Sequence, residues 1–334
     1  MEAQSAPPKQ RRAMMRISVN AKQKEILLLV SVFLFCGGLG SSVWFWWRQH
    51  QLTKVQEVTA TALRTFPILM ADAERGWKNR PNSEMLSGET FPLKESPPFR
   101  MNSDESQILI SEPSGIAFAK TLWIIGDSSP FGLGANAEKT FASRLARTLA
   151  PSRVSVRNFS VIGYDSSQMK KYLEILEQRN SSKPDMLILW AGFNDVSKFI
   201  HKFFWNKPFL ESAGFQQYKT NVTAILNHMK ERDVPVIQVT IPVLEAYPEL
   251  DRINDWIRNR DNSQFDVSVF DIKKLFLAKS DSALYSPFDR SLPYRFHPSN
   301  LGHELIFREL LPLVIRKLNV SLESHRVRTV VAQP

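Results

Sequence analysis

The sequence predicts an α/β domain built on a parallel sheet, preceded by one N-terminal transmembrane helix. From residue 119 onward, short runs of apolar residues alternate with longer segments that have helical spacing. The apolar runs lack the alternating polar positions of half-exposed strands, which is typical of parallel strands covered by helices on both faces. A third observation predicts the transmembrane helix: about 22 residues from Ile26 to Trp47 carry no charge, enough to cross a bilayer.

The uncharged stretch has the flanking residues of a membrane anchor. Basic residues precede it, so the positive-inside rule leaves the N-terminus in the cytoplasm and places the α/β domain on the periplasmic or extracellular side. The aromatic end of the stretch, from Trp44 to Trp47, suits the far membrane interface. Small residues between Gly37 and Ser42 leave a cleaved signal peptide as the alternative to an uncleaved signal anchor. The expected product is a single-pass membrane protein.

These features divide the chain into five parts. We expect a basic cytoplasmic tail (1–25), a signal-anchor helix (26–47), a membrane-proximal linker (48–118), the α/β domain (119–320) and a C-terminal tail (321–334). Helical spacing occurs over residues 51–66 at the start of the linker. The rest of it contains Pro81, Pro92, Pro97 and Pro98 among polar residues, which favour extended or turn structure.

Composition narrows the possible functions. The formal net charge of +10 would suit a nucleic-acid partner, but the excess basic residues lie ahead of the uncharged stretch and near the C-terminus. The sequence contains neither zinc-ligand spacing nor an RNA-binding aromatic signature, so we expect no nucleic acid, metal or other cofactor. The single cysteine, Cys36, excludes an intrachain disulfide and a site built from several thiolates.

Strands and helices alternate in order along the α/β domain. The predicted strands cover residues 122–125, 154–159, 186–190, 234–241 and 267–270. The predicted helices cover residues 138–149, 166–179, 216–232, 248–260 and 300–318. Ligand sites on such sheets lie at the carboxyl ends of the strands. Polar residues directly after the first three strands are therefore candidate site residues.

One candidate residue follows each of the first three strands. Ser128, in the sequence Gly-Asp-Ser, lies on a turn that could project its hydroxyl into a cleft as a nucleophile. Gly163 lets its backbone N–H approach a ligand without obstruction. Asn194 offers a side-chain amide to a developing oxyanion. Taken singly, the serine motif and the glycine also fit ordinary turns.

Two further motifs have a plain interpretation beside the chemical one. Asn194 and Asp195 together would cap a helix starting at Val196, with Asp195 capping while Asn194 faces the cleft. His297 lies in the loop before the last helix, where a neutral imidazole could take a proton from a serine. By itself it would equally be a packed or surface histidine. His303 falls within the helix, and we expect it to pack or to face solvent.

In this order and spacing the four candidates resemble the SGNH/GDSL hydrolases, whose four sequence blocks carry Ser, Gly, Asn and His. The resemblance covers about residues 120–318. It implies a three-layer α/β/α sandwich of the flavodoxin-like type and the hydrolysis or transfer of an ester's acyl group. By this resemblance Ser128 is the nucleophile, His297 is the general base, and Gly163 and Asn194 are the oxyanion donors beside the Ser128 N–H.

The chain departs from the family's pattern at one position. The family usually has an aspartate three residues before the histidine, and Tyr294 occupies that position here. This acid orients the imidazole and stabilises its cation. Asp289 is the first candidate replacement, and Asp281 and Asp271 are more remote. A backbone carbonyl could also orient the ring, or the site could work as a dyad or be impaired.

Three functions remain open from the sequence. The first is a membrane-anchored serine esterase that removes an acyl group, with acetyl on an envelope or extracellular polysaccharide as the expected substrate, because residues 131–135 resemble members that act near such polymers. The second is an acyltransferase using the same residues. The third, favoured by Tyr294, is a non-catalytic module that binds polysaccharide or scaffolds an envelope complex. The aromatic run from Phe199 to Phe209 predicts either a packed helix or a wall for a sugar ring or acyl chain.

Overall fold

Five parallel strands form the central sheet in a computed structural model of the chain, which describes residues 66–88, 95–109, 117–180, 183–200, 213–243, 248–287, 289 and 295–322. In chain order the strands are β1 (Leu69–Asp72), β2 (Gly76–Asn79), β3 (Glu84–Ser87), β4 (Glu95–Arg100), β5 (Lys120–Gly126), β6 (Val154–Asn158), β7 (Met186–Trp190), β8 (Val236–Val239) and β9 (Val267–Phe270). The sheet order is β6-β5-β7-β8-β9, with every neighbouring pair parallel. This is a doubly wound order of the flavodoxin-like type.

Helices cover both faces of this sheet. They are α1 (Ser128–Phe131), α2 (Phe141–Leu149), α3 (Ser166–Asn180), α4 (Phe193–Ile200), α5 (Ala213–Glu231), α6 (Pro248–Asn259), α7 (Ile272–Lys279) and α8 (Asn300–Leu318). Successive residues of β5 point to opposite faces. Trp123 and Ile125 join an apolar core with α3, α5 and α6, whereas Leu122 and Ile124 join another with α2, α7 and α8. The predicted α/β class with a parallel sheet is confirmed, and its layers are α/β/α.

Two of the differences between the observed and the predicted helices involve aspartates. Helix α4 begins at Phe193 rather than at Val196, so Asp195 lies inside its first turn. Helix α7 was not predicted, although Asp271 is a good N-cap and its carboxylate accepts a hydrogen bond from the Lys274 N–H. Eight residues with lysines among the apolar positions give too short a pattern for periodicity to reveal.

Residues 66–88 and 95–109 fold against the α/β domain, and the linker interpretation is wrong for these two stretches. Strands β1 and β2 form one antiparallel pair, and β3 and β4 form another. Their buried apolar side chains belong to the same core as Trp123: Ile68, Leu69, Trp77, Met85, Phe99 and Met101. The prolines of β4 lie where the register with β3 shifts between Met85 and Ser87, so their missing N–H groups interrupt no regular ladder.

A buried group of charged residues also fixes this segment to helix α3. The guanidinium of Arg75 pairs with Asp72 at 2.9 Å and with Glu105 at 3.0 Å, and Arg179 of α3 pairs with Glu105 at 2.8 Å. Burial alone would raise the pKa of Glu105, but hydrogen bonds from Arg75 and Arg179 hold it below its ordinary value. Residues 59–334 form one unit, which contains every described residue.

Among the residues that the structure describes, no helix combines the length and apolar character needed to cross a membrane. The predicted signal-anchor helix over residues 26–47 lies outside them. The helical spacing over 51–65, Tyr294, and residues 201–209 of the aromatic run also lie outside the described residues.

Candidate active site

The first candidate, Ser128, begins a one-turn helix directly after the central strand β5. Asp127 caps this helix, and its carboxylate accepts a hydrogen bond from the Ser129 N–H at 2.9 Å. A side chain at Gly126 would meet the Pro130 ring at 2.3 Å and the Trp190 carbonyl at 2.7 Å. The turn therefore requires glycine before Asp127, and it places the serine at the carboxyl end of the sheet.

Ser128, His297 and Asp289 form a continuous hydrogen-bonded chain. The Nε2 atom of His297 lies 2.8 Å from the Ser128 Oγ, and its Nδ1 atom lies 2.6 Å from an Asp289 carboxylate oxygen. A carboxylate can only accept, so Nδ1 donates to Asp289 and Nε2 of the neutral ring accepts the serine proton. The exposed fractions are 6%, 3% and 0% for Ser128, His297 and Asp289. This geometry supports proton transfer from serine to imidazole.

The second oxygen of Asp289 holds the carboxylate next to the histidine. It accepts hydrogen bonds from the backbone N–H groups of Phe296, at 2.8 Å, and of His297, at 2.7 Å. Asp289 therefore lies against both the backbone and the imidazole of His297, as the proposal of Asp289 as replacement acid required. The other acids lie elsewhere: Asp271 pairs with Arg258, and Asp281 caps a turn of 3₁₀ helix, Ser282–Leu284.

The other two candidates flank the serine because β6 and β7 flank β5 in the sheet. Gly163 follows β6 and has a φ of +80°, a conformation that favours glycine. Asn194 follows β7, and its side-chain amide donates to the Tyr164 carbonyl at 3.0 Å. The Val161 N–H donates to the Gly126 carbonyl at 3.0 Å, which joins the glycine loop to the serine turn. The loops carrying Ser128, Gly163 and Asn194 thus meet at one edge of the sheet.

The prediction that Asp195 caps a helix starting at Val196 is wrong. Its carboxylate accepts hydrogen bonds from the Ser166 N–H, at 3.0 Å, and from the Ser166 hydroxyl, at 2.5 Å. Asp195 therefore supports the start of α3, the helix after the glycine loop. Asn221 of α5 also donates to the Ser166 hydroxyl, at 3.0 Å, so three helices are joined behind Asn194.

Two aromatic rings lie beside the histidine. Phe193 stacks on Phe296 with a centroid distance of 3.6 Å and an interplanar angle of 17°. The Phe296 ring lies 4.0 Å from the His297 ring. Phe193 is partly buried against the same apolar core, so the pair narrows the space next to the imidazole. These residues were not predicted, because a single apolar residue on each side of a motif gives no signal.

Two ionisable groups near the site have shifted pKa values. Burial, the largest effect, raises the pKa of Asp127 to about 6, against the opposing effects of the Ser129 N–H and of His297. Burial lowers the pKa of His303 to about 3. Its ring is fully buried, stacks on Phe141 and accepts from the Phe141 N–H at 3.3 Å. The expected packing role of His303 agrees with this position.

Within the part of the chain that the structure describes, no group of three or more His, Cys, Asp or Glu side chains is placed to hold a metal ion. The chemical groups at the site are a hydroxyl, an imidazole, a carboxylate and amide donors, which together suit acyl transfer.

A match to a protein-family model agrees with this chemistry. The model of the GDSL-like lipase/acylhydrolase family matches residues 124–305, and no curated protein sequence matches the chain. Similar solved structures include a lipolytic protein of the G-D-S-L family from Veillonella parvula (18% identity, TM-score 0.47, 59% of this chain and 100% of that one), and the acetylxylan esterase Axe2 from Geobacillus stearothermophilus (18%, 0.46, 63% and 99%). The esterase EstA from Pseudoalteromonas sp. has 19% identity and a TM-score of 0.43 over 60% of this chain and 99% of its own. The family match covers more than half of the chain, which therefore belongs to the GDSL-like lipase/acylhydrolase family of ester hydrolases.

Proposed function

We propose that this chain is a serine esterase in which Ser128 is the nucleophile, His297 the general base and Asp289 the acid that orients the histidine. The observation that carries the proposal is the hydrogen-bonded chain from the Ser128 Oγ through the imidazole to Asp289, with distances of 2.8 and 2.6 Å. Because Tyr294 in the usual acid position was the feature that favoured a non-catalytic module, a carboxylate on the imidazole removes that argument. A buried nucleophile-base-acid arrangement is what acyl transfer requires.

The geometry gives each group a step in the reaction. Ser128 attacks the ester carbonyl while its proton moves to Nε2 of His297, and the buried carboxylate of Asp289 stabilises the imidazolium. The carbonyl oxygen becomes an oxyanion, which the N–H groups of Ser128 and Gly163 and the side chain of Asn194 stabilise. The imidazolium then gives its proton to the leaving alcohol. His297 then takes a proton from a water molecule as that water attacks the acyl-enzyme. When the second tetrahedral intermediate collapses, the carboxylic acid leaves and His297 returns the proton to the Ser128 oxygen.

The confined space around Ser128 and His297 favours a short acyl group. Ser128 is only 6% exposed, and the stacked rings of Phe193 and Phe296 stand beside the imidazole. An acetyl ester fits such a site better than a long chain, which agrees with the proposed action on acetylated envelope or extracellular polysaccharide. We expect kcat/KM to fall at least tenfold from p-nitrophenyl acetate to p-nitrophenyl octanoate. Equal rates for both esters would contradict the short-chain assignment.

The proposal includes a membrane tether, with the enzyme on the periplasmic or extracellular side. It is supported by the uncharged stretch from Ile26 to Trp47 and the basic residues before it. Full-length protein should stay with the membrane pellet after a carbonate wash, and protease added to intact spheroplasts should degrade the esterase domain. Release of the mature protein into the soluble fraction would support the cleaved signal peptide instead.

A fluorophosphonate probe tests the serine mechanism directly, because it labels only an activated serine. Wild-type protein should be labelled, and both Ser128→Ala and His297→Ala should lose the label. Ser129→Ala is the matched control, since it removes a neighbouring buried hydroxyl from the same helical turn. Folded wild-type protein that takes no label would refute the serine esterase and revive the binding module.

A further inference from the structure

The segment before the family-matched region contacts the proposed oxyanion loop, residues 160–164. Trp77 of β2 is 4% exposed, and its Nε1–H donates to the Ile162 carbonyl at 2.8 Å. Asn79 of the same strand donates its side-chain amide to the Ser160 carbonyl at 3.1 Å. In return, the Tyr164 hydroxyl donates to the Trp77 carbonyl at 2.6 Å. Three hydrogen bonds thus connect β2 to the beginning, middle and end of this loop.

The indole hydrogen bond acts on one particular peptide group. The Ile162 carbonyl and the Gly163 N–H belong to the same planar peptide, in which C=O and N–H point in opposite directions. Fixing the carbonyl therefore fixes the direction of the Gly163 N–H, the proposed oxyanion donor. A hydrogen bond at the carbonyl also polarises the amide and strengthens its N–H as a donor. Trp77 thus holds the donor from the side opposite to the substrate.

Packing reinforces this hydrogen bond. A Cβ atom added at Gly163 would lie 3.1 Å from the Trp77 Cζ2 atom, so the indole lies directly against the loop. Because Gly163 has no Cβ atom, its backbone could adopt conformations other than the observed φ of +80°, so the loop itself does not lock the peptide. Tyr164, which bonds to the Trp77 carbonyl through its hydroxyl, also accepts a hydrogen bond from the Asn194 side chain at its own carbonyl. Strand β2 is therefore linked to the second proposed oxyanion donor as well.

We infer that Trp77 is a positioning residue for ester hydrolysis: its indole orients the 162–163 peptide so that the Gly163 N–H meets the oxyanion. This rests on the proposed function. It assigns part of the oxyanion hole to strand β2, which precedes the family-matched residues 124–305. The contribution is to the transition state, because the oxyanion exists only after attack.

Two variants test the assignment, each with a different loss. Trp77→Phe keeps an aromatic ring but removes the Nε1–H. Tyr164→Phe removes only the hydroxyl that bonds to the Trp77 carbonyl, which keeps the test valid if Trp77→Phe does not fold. Tyr172→Phe is the matched control, since the Tyr172 hydroxyl is buried in the same aromatic cluster and has no hydrogen-bond partner among the described residues.

The readouts separate positioning from general destabilisation. With p-nitrophenyl acetate, Trp77→Phe should lower kcat roughly 10- to 100-fold with KM within about twofold, since losing a whole donor costs roughly 10²- to 10³-fold. Tyr164→Phe should lose roughly fivefold, and Tyr172→Phe should match wild type. Affinity for phenylboronic acid, whose tetrahedral adduct occupies the oxyanion hole, should fall in parallel with kcat/KM while thermal unfolding shows the protein folded at the assay temperature.

The possible failures are distinguishable. If wild type is active and both Trp77→Phe and Tyr164→Phe keep kcat and boronate affinity within twofold of the Tyr172→Phe control, the positioning role is wrong and the esterase stands. If kcat falls in folded Trp77→Phe while boronate affinity stays unchanged, the oxyanion assignment is overturned. If wild type neither takes the fluorophosphonate label nor hydrolyses the ester, the proposed function fails and this inference fails with it.

Discussion

Replacing Asp289 with asparagine should abolish most of the activity without unfolding the protein. One carboxylate oxygen accepts two backbone N–H groups at 2.7 and 2.8 Å, so the asparagine carbonyl must take that place. Its NH₂ group then faces Nδ1 of His297, where the carboxylate oxygen lay at 2.6 Å. Two donors cannot face each other, so the ring proton moves to Nε2. The ring can then no longer accept the proton of Ser128.

The size of this loss follows from the wrong tautomer. The same exchange in a serine protease triad lowers kcat by about 10⁴, which at about 1.4 kcal/mol per factor of ten is roughly 5.5 kcal/mol in the barrier. Folding should suffer little, because the two backbone N–H groups keep an acceptor. Asp289→Ala, in contrast, leaves both of them buried and unpaired, at about 1–3 kcal/mol each. The asparagine variant is therefore the cleaner test.

Steady-state hydrolysis of p-nitrophenyl acetate measures this prediction, with thermal unfolding recorded in parallel. Asp281→Asn is the matched control, because Asp281 caps an exposed turn and asparagine caps equally well. We expect kcat near wild type for Asp281→Asn and a loss of about 10⁴ for Asp289→Asn. A folded Asp289→Asn variant that loses less than tenfold would show that the enzyme works as a Ser-His dyad and that Asp289 is structural.

Three further perturbations have measurable outcomes. Because Asp127 has its pKa raised from 3.8 to about 6, its ionisation weakens the folded state as pH rises from 4 to above 6. Asp127→Asn should thus raise the free energy of unfolding, measured with urea, by on the order of 3 kcal/mol at pH 8 and leave it unchanged below pH 4. A difference between the variant and wild type that does not depend on pH would contradict this. Gly163→Ala, at a φ of +80° and 3.1 Å from the Trp77 ring, should cost about 1–2 kcal/mol of stability and lower kcat; unchanged values would exclude the strained conformation. A chain starting at residue 119 should aggregate while one starting at residue 59 folds, because only the latter keeps the core residues of β1 to β4; a soluble, active shorter chain would refute that.

The strands of the sheet could be predicted because each is defined by its own residues. The strands over 186–190 and 267–270 have the predicted bounds, and helix α8 does as well. A short uninterrupted apolar run is typical of a strand buried on both faces, and this pattern does not depend on the rest of the chain. The positions of Ser128, Gly163 and Asn194 at one edge then follow from parallel strand order.

Tertiary contacts between separate parts of the chain could not be predicted in this way. Asp289 was one of three candidate acids, and only the folded position of its carboxylate decides among them. That position is fixed by backbone N–H groups of Phe296 and His297, which every residue except proline possesses, so the sequence carries no mark of it. A motif search fixed on the third residue before the histidine finds Tyr294 and misses a carboxylate that reaches the ring from eight residues away.

The segment over 66–109 shows the same limit on a larger scale, with a consequence for catalysis. Its strands are four to six residues long, and its apolar residues are too scattered for periodicity, so prolines and polar residues dominate the pattern. Trp77 of this segment nevertheless packs against Gly163 and belongs to the apolar core. In the proposed oxyanion hole the backbone of Gly163 must reach the oxyanion, but a glycine peptide does not orient itself. Orientation has to come from another part of the chain, and here the hydrogen bond from Trp77 to the Ile162 carbonyl can supply it.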